Sequence, residues 1–155
     1  MAPSLNNIID HIRNRPYMSG VARDELRVKS TSEIFTPTPL VQKILDHTPK
    51  KYFTDPSETV CDPSCGDGQF LGEILIRRIE NGIEFEQALS TIYGVDIMPE
   101  NVDQCRERLL CGQEHLRPIV ERNIVCADAL RYHYRFDGSD PYKTAKDLQF
   151  DRFFG

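Results

Sequence analysis

The nine residues Asp62-Pro63-Ser64-Cys65-Gly66-Asp67-Gly68-Gln69-Phe70 decide how the rest of the chain is read. At their leading edge, Thr59-Val60-Cys61-Asp62 has the length and apolar content of a short buried strand. Pro63 to Gly68 make a turn. Behind it, Phe70, Leu71, Ile74, Leu75 and Ile79 recur at spacings of three and four, so Gln69 to Asn81 is a helix that Gly82 stops. Gly66 and Gly68 permit backbone conformations and a close approach that side chains would block. A ligand can therefore sit against the main chain at the carboxyl end of this strand. A helix N-terminus in this position can hold a phosphate, but Asp62 and Asp67 would repel one. A cationic or zwitterionic ligand suits the turn better.

Working outward, Glu84 to Ser90 reads as a short helix, Thr91 to Asp96 as a second strand, and Glu100 to Leu110, opened by Pro99, as the next helix. Asn123 to Ala127 is a third strand ending at Asp128, and His133 to Lys146 is a polar loop. Leu148 to Phe154 has the look of a fourth strand. Upstream, Leu5, Ile8, Ile9 and Ile12 have helical spacing over Leu5 to Arg15, and Pro16 ends that helix. Ser19 to Ser32 is a polar link. A further helix starts with Thr38 as cap and Pro39 in its first turn, presents Leu40, Val41, Ile44 and Leu45, and is closed by Pro49 and Lys50-Lys51.

Strands alternating with helices predict an α/β fold with a mostly parallel sheet and right-handed crossovers, a three-layer αβα sandwich or its first half. We divide the chain into an N-terminal helical and linker segment, 1–33, and an incomplete cofactor-binding domain, 34–155.

Composition narrows the field. At 155 residues the chain has room for one core. With 39% apolar and 28% charged residues it is neither disordered nor fibrous. No apolar run nears the ~20 residues of a membrane span, and the first residues lack the character of a signal peptide, so no membrane role and a cytoplasmic location are the expectation. Five cysteines at irregular spacing, with no Cys-x-x-Cys, point to reduced and mostly buried thiols rather than a zinc site. His11, His47, His115 and His133 do not cluster. Arg106, Arg108, Arg117 and Arg122 alternate with acids, as on a solvated face. A net charge of −5 is wrong for a self-sufficient DNA-binding domain.

Two more acids strengthen the site. Asp96 ends the second strand, where a carboxylate can accept hydrogen bonds from both ribose hydroxyls. In nicotinamide-binding domains that acid lies ~20 residues past the glycines. Here the interval holds more than one helical segment and the third glycine is missing, which counts against a dinucleotide. Asp128 ends the third strand, near where an adenine amino group would be read. The residues favour a cationic cofactor that carries a nucleoside.

These segments resemble the motifs of class I S-adenosylmethionine-dependent methyltransferases, and in particular of N6-adenine DNA methyltransferases of restriction-modification and phage type. Phe35-Thr36-Pro37-Thr38-Pro39 resembles motif X, which packs near the methionine end of the cofactor. Asp62 to Phe70 resembles motif I, Tyr93-Gly94-Val95-Asp96-Ile97 motif II, and Cys126-Ala127-Asp128-Ala129-Leu130 motif III. The order is similar to the gamma arrangement. The resemblance implies S-adenosylmethionine as cofactor. Its binding residues would be Phe35, Thr36 and Pro37 from motif X; Asp62, Ser64, Cys65, Gly66, Asp67, Gly68 and Phe70 from motif I; Asp96 on the ribose and Ile97 against the adenine; and Asp128, at the adenine amino group, with Ala129.

The family's catalytic (D/N/S)-P-P-(Y/F) motif is not in this sequence. Phe150-Asp151-Arg152-Phe153-Phe154-Gly155 resembles its lead-in, and Asp140-Pro141-Tyr142 lacks the second proline. The expectation is the cofactor-binding part of a DNA adenine-N6 methyltransferase, truncated before its catalytic motif and inactive alone. DNA would be the parent enzyme's partner, held weakly or not at all by this acidic chain. The alternative is a non-catalytic, phage-type protein that uses the fold to bind the cofactor or dock on a partner. A sheet ending at its fourth strand would leave an open apolar edge, favouring a homodimer or a protein partner.

Overall fold

A computed structural model describes residues 2–14 and 36–154, with the side chain of Phe154 outside that description. The expectations for Arg15 to Phe35 fall outside the described residues.

Helix α1, Leu5–Asn14, buries Ile8 and Ile12, one turn apart, in the main core. Helix α2, Thr38–Asp46, buries Val41 and Leu45 in the same way. Thr38 is its first residue and not its cap. Pro37 takes the cap position in an extended conformation, its carbonyl accepts from the N–H groups of Leu40 and Val41, and no side chain caps the end. The following Lys50-Lys51 pair does not merely close α2. It leads into a further turn of helix, α3, Lys51–Thr54, which buries Phe53.

Strand β1, Val60–Asp62, is followed by α4, Gln69–Glu80, and α5, Phe85–Ser90. Strand β2, Ile92–Asp96, leads to α6, Pro99–Leu110. A 3-10 turn at Glu114–Leu116 and helix α7, Arg117–Asn123, precede β3, Ile124–Cys126. Reading the periodicity alone misses α7, because seven residues are too few to show a helical stripe.

The sheet has the order β1-β2-β3 and is parallel throughout, with Val60 beside Ile92, Asp62 beside Gly94, and Asp96 beside Cys126. Both crossovers step the same way, so right-handed connections place α4 and α6 on one face. There Leu71, Leu75, Val102, Cys105 and Leu109 pack with Ile92 and Ile124. Gly94 lets this layer close: a Cβ there would lie 2.9 Å from Leu71 Cδ1 and 3.0 Å from Cys65 Cβ. The opposite face carries Val95 and Val125 and is partly covered by the loop after β3, through Tyr132 and Phe136. The Phe136 ring lies 4.6 Å from that of Tyr93. This is a partial Rossmann-like α/β fold.

The expected fourth strand is a helix. Helix α8, Ala145–Phe154, replaces it. Thr144 and Asp147 form a reciprocal cap: the Thr144 N–H donates to Asp147 Oδ2 at 2.9 Å, and the Asp147 N–H donates to Thr144 Oγ1 at 3.1 Å. The segment has no described strand beside it, so local hydrogen bonds decide its conformation.

Two arginines lie in the interior. Arg78 is fully buried, and its guanidinium donates to the carbonyls of Tyr52, Glu58 and Ala88. Arg108, expected on a solvated face, is fully buried too. Arg106 is half-buried and caps the start of β3 by donating to Ile124 O.

Candidate cofactor site

The chain's glycine turn and its three strand-end acids come together at one end of the sheet. Asp62 closes β1 and Asp96 closes β2, while Asp128 lies just past β3, and the three strands are parallel neighbours. The turn is built from main-chain bonds. The Ser64 N–H donates to Asp62 Oδ1 at 3.0 Å, an Asx turn. The Cys65 N–H donates to Val95 O at 2.9 Å, which fixes the turn to β2. Gly66 has φ 53° and Gly68 φ 95°, both left-handed, and Gly68 caps α4.

Asp96 binds the turn directly. Its Oδ2 accepts from the Gly66 N–H at 3.0 Å, and its Oδ1 from the Met98 N–H at 2.9 Å and from Asn101 Nδ2 at 3.2 Å. A carboxylate offers about four acceptor positions, so a ribose using both hydroxyls would have to share them with these donors. Asn101 is a partner of Asp96 that sequence reading missed; nothing in its spacing marks it.

Asp62 is half-buried, and burial raises its carboxyl above the ordinary range, with the negative charge of Asp96 adding to the rise and the Ser64 hydrogen bond opposing it. Asp128 Oδ1 accepts from the Leu130 N–H at 2.9 Å, and the Asp128 N–H donates to the Tyr142 hydroxyl at 2.8 Å. Ala129 accepts from the Tyr134 hydroxyl through its carbonyl. Ile97 is 63% exposed beside Asp96, and Ser64 is exposed on the turn.

Other expected contacts face inward. Asp67 is fully buried, and its Oδ2 lies 3.6 Å from Arg108 Nη2. Its carboxylate therefore serves the interior, which corrects the expectation that it faces a ligand; its backbone stays in the turn. Cys65 is buried, and a hydrogen bond with Cys105, reinforced by burial, pushes its thiol well above the ordinary range. A thiol held protonated is no nucleophile. Phe70 is half-buried against the main core. Thr36 and Pro37 lead into α2, which packs along α4, and Phe35 lies outside the described residues.

All five cysteines are free; Cys65, Cys105 and Cys111 are buried, and Cys61 and Cys126 are exposed. Among the described residues no group of three His, Cys, Asp or Glu side chains is placed to hold a metal. No helix there is long and apolar enough to cross a membrane. A cleft of about 330 Å³ between α2, α3 and the end of α4, lined by Leu45, Phe53 and Arg77 among others, shares no residue with the acid cluster.

The fold is that of an α/β protein with a glycine turn and three carboxylates at one end of a parallel sheet. Comparison with known proteins adds a relationship. The chain is 34% identical over 106 residues to the type II methyltransferase M.VspI of Vibrio sp. (strain 343). The match covers 66% of this chain, which spans 22% of the length of that enzyme. It supports kinship with methyltransferases. No family model and no solved structure matches the chain.

Proposed function

We propose that this chain is the S-adenosylmethionine-binding portion of a DNA adenine-N6 methyltransferase. One observation carries the reading: Asp62, Asp96 and Asp128 lie at the same ends of three adjacent parallel strands, and Asp96 is hydrogen-bonded to the glycine turn that follows the first. The similarity to a type II methyltransferase supports it. The donor set fits the cofactor. Asp62 is a half-buried carboxylate beside a second carboxylate, and a cation placed there would relieve both its burial and its repulsion from Asp96.

In this reading the sulfonium supplies the reactive methyl group. The chain's own residues bind and orient. Asp96 accepts from the ribose hydroxyls, and Ile97 covers one side of the adenine. Asp128 accepts from the adenine amino group, and the glycine turn admits the methionine part against the main chain. Orientation of this kind is a large share of what an enzyme contributes to group transfer. The groups that hold the target amine are proposed to lie in polypeptide beyond this sequence, because no Pro-Pro-aromatic occurs in it. With a net charge of −5, the chain leaves the main grip on DNA to that remainder.

Calorimetric titration of S-adenosylmethionine into this chain, beside an Asp128→Ala variant of matched thermal stability, tests the reading. Saturable binding that Asp128→Ala weakens at least about tenfold, the scale of a lost charge-assisted hydrogen bond, is the expected outcome. Heat no different from dilution, in protein that melts cooperatively, would remove the cofactor from the proposal.

A further inference from the structure

The turn that carries Gly66 and Gly68 is held from beneath by one side chain, and the same side chain holds α1. Arg108 comes from the last turns of α6 and is fully buried. Its Nε donates to the Asp67 carbonyl at 2.9 Å, and its Nη2 lies 3.6 Å from Asp67 Oδ2. Its Nη1 donates to the Ile12 carbonyl at 2.7 Å. Ile12 sits in the last turn of α1, where carbonyls have no partner within the helix. The stem runs close to Gly68: a Cβ there would lie 3.6 Å from Arg108 Cδ and 3.0 Å from Cys105 Sγ.

A guanidinium is a planar fork with fixed donor directions, so partners on two edges fix one another's positions. Asp96 holds the front of the turn at Gly66, and Arg108 holds its back at Asp67. Helix α1 has further anchors. Arg13 makes two bonds of 2.9 Å to the buried Glu73, and His11 Nε2 meets Glu107 O at 3.0 Å. Losing Arg108 would therefore leave α1 attached while freeing the back of the turn.

We propose that Arg108 is a positioning residue for the cofactor turn and couples the turn's conformation to the docking of α1. The proposal rests on the reading that this turn receives S-adenosylmethionine. Coupling is reciprocal, so a cofactor that orders the turn also tightens the end of α1. Sequence spacing could not bring these segments together, since Ile12, Asp67 and Arg108 come from three separate parts of the chain.

Arg108→Met and Arg108→Lys in the full chain test this by two readouts. In titrations with S-adenosylmethionine, Arg108→Met is expected to bind about tenfold or more weakly, and Arg108→Lys, which keeps the charge but not the fork, in between. In amide exchange without cofactor, residues 66–69 are expected to exchange faster in both variants, while the centre of α4 is unchanged. Cofactor is expected to slow exchange at Ile12 and Arg13 in the wild type and not in Arg108→Met. Equal affinity in wild type and variants, or unchanged exchange at 66–69, would overturn the proposal and leave the cofactor reading standing. If Arg108→Met does not fold, Arg108→Lys carries the same comparison. If the wild type binds no cofactor, the reading of the turn fails on its own, and exchange at 66–69 alone decides the role of Arg108.

Discussion

At Asp62, burial and a neighbouring charge act in the same direction. Both disfavour the carboxylate, so the folded protein holds its proton more tightly than the unfolded chain does. The sign follows from linkage. Well below about pH 4 both states are protonated and the site carries no penalty; as pH rises through the raised value of the folded state, stability is lost. Asp62→Asn keeps an oxygen for the Ser64 N–H and removes the charge. The variant is expected to unfold at higher urea than wild type at pH 7, and by a smaller margin near pH 3; a lower midpoint at pH 7 would contradict the stored repulsion. The same physics makes the turn receptive to a cation. Asp67, the other acid of this turn, is closed against Arg108 in the interior and plays no such part.

At the scale of elements, α8 is set by its start. Thr144 and Asp147 exchange hydrogen bonds across the first turn, while Phe150 and Phe153 remain 62% and 70% exposed. Removing the cap by Thr144→Ala is expected to cost about 1 kcal/mol of local helix stability. Carbon chemical shifts over 145–154 should move toward coil while the global urea midpoint stays in place. A matching fall in the global midpoint would mean that α8 is part of the cooperative core. The cap is legible as Thr-x-x-Asp, but the segment Leu148 to Phe154 reads equally well as a strand. The three strands and the longer helices are legible because each carries its own period or its own glycine or proline stop, as α4 does between Gly68 and Gly82.

For the whole molecule, the order β1-β2-β3 leaves the outer edges of β1 and β3 without a described partner strand. Such edges present main-chain donors and acceptors to other chains. Light scattering on the isolated chain is expected to show a mass that rises with concentration, and a constant monomer mass at high concentration would contradict this. Among the described residues, the second face of the sheet is covered by the loop carrying Tyr132 and Phe136, where the alternation of strands and helices predicts a further helical layer.

The sequence by itself determined the parallel α/β order, the glycine turn and the three strand-end acids. Each of these is written in a short stretch of chain, as local period, as glycine placement or as the residue that ends a strand. Only the tertiary structure decided which charges serve the interior. Arg108 reads as a surface residue in sequence and Asp67 as a ligand-facing one, because burying a charge becomes tolerable only when partners arrive from distant segments. It decided the state of residues 145–154 as well, since a short segment becomes a strand only where a neighbouring edge receives its hydrogen bonds.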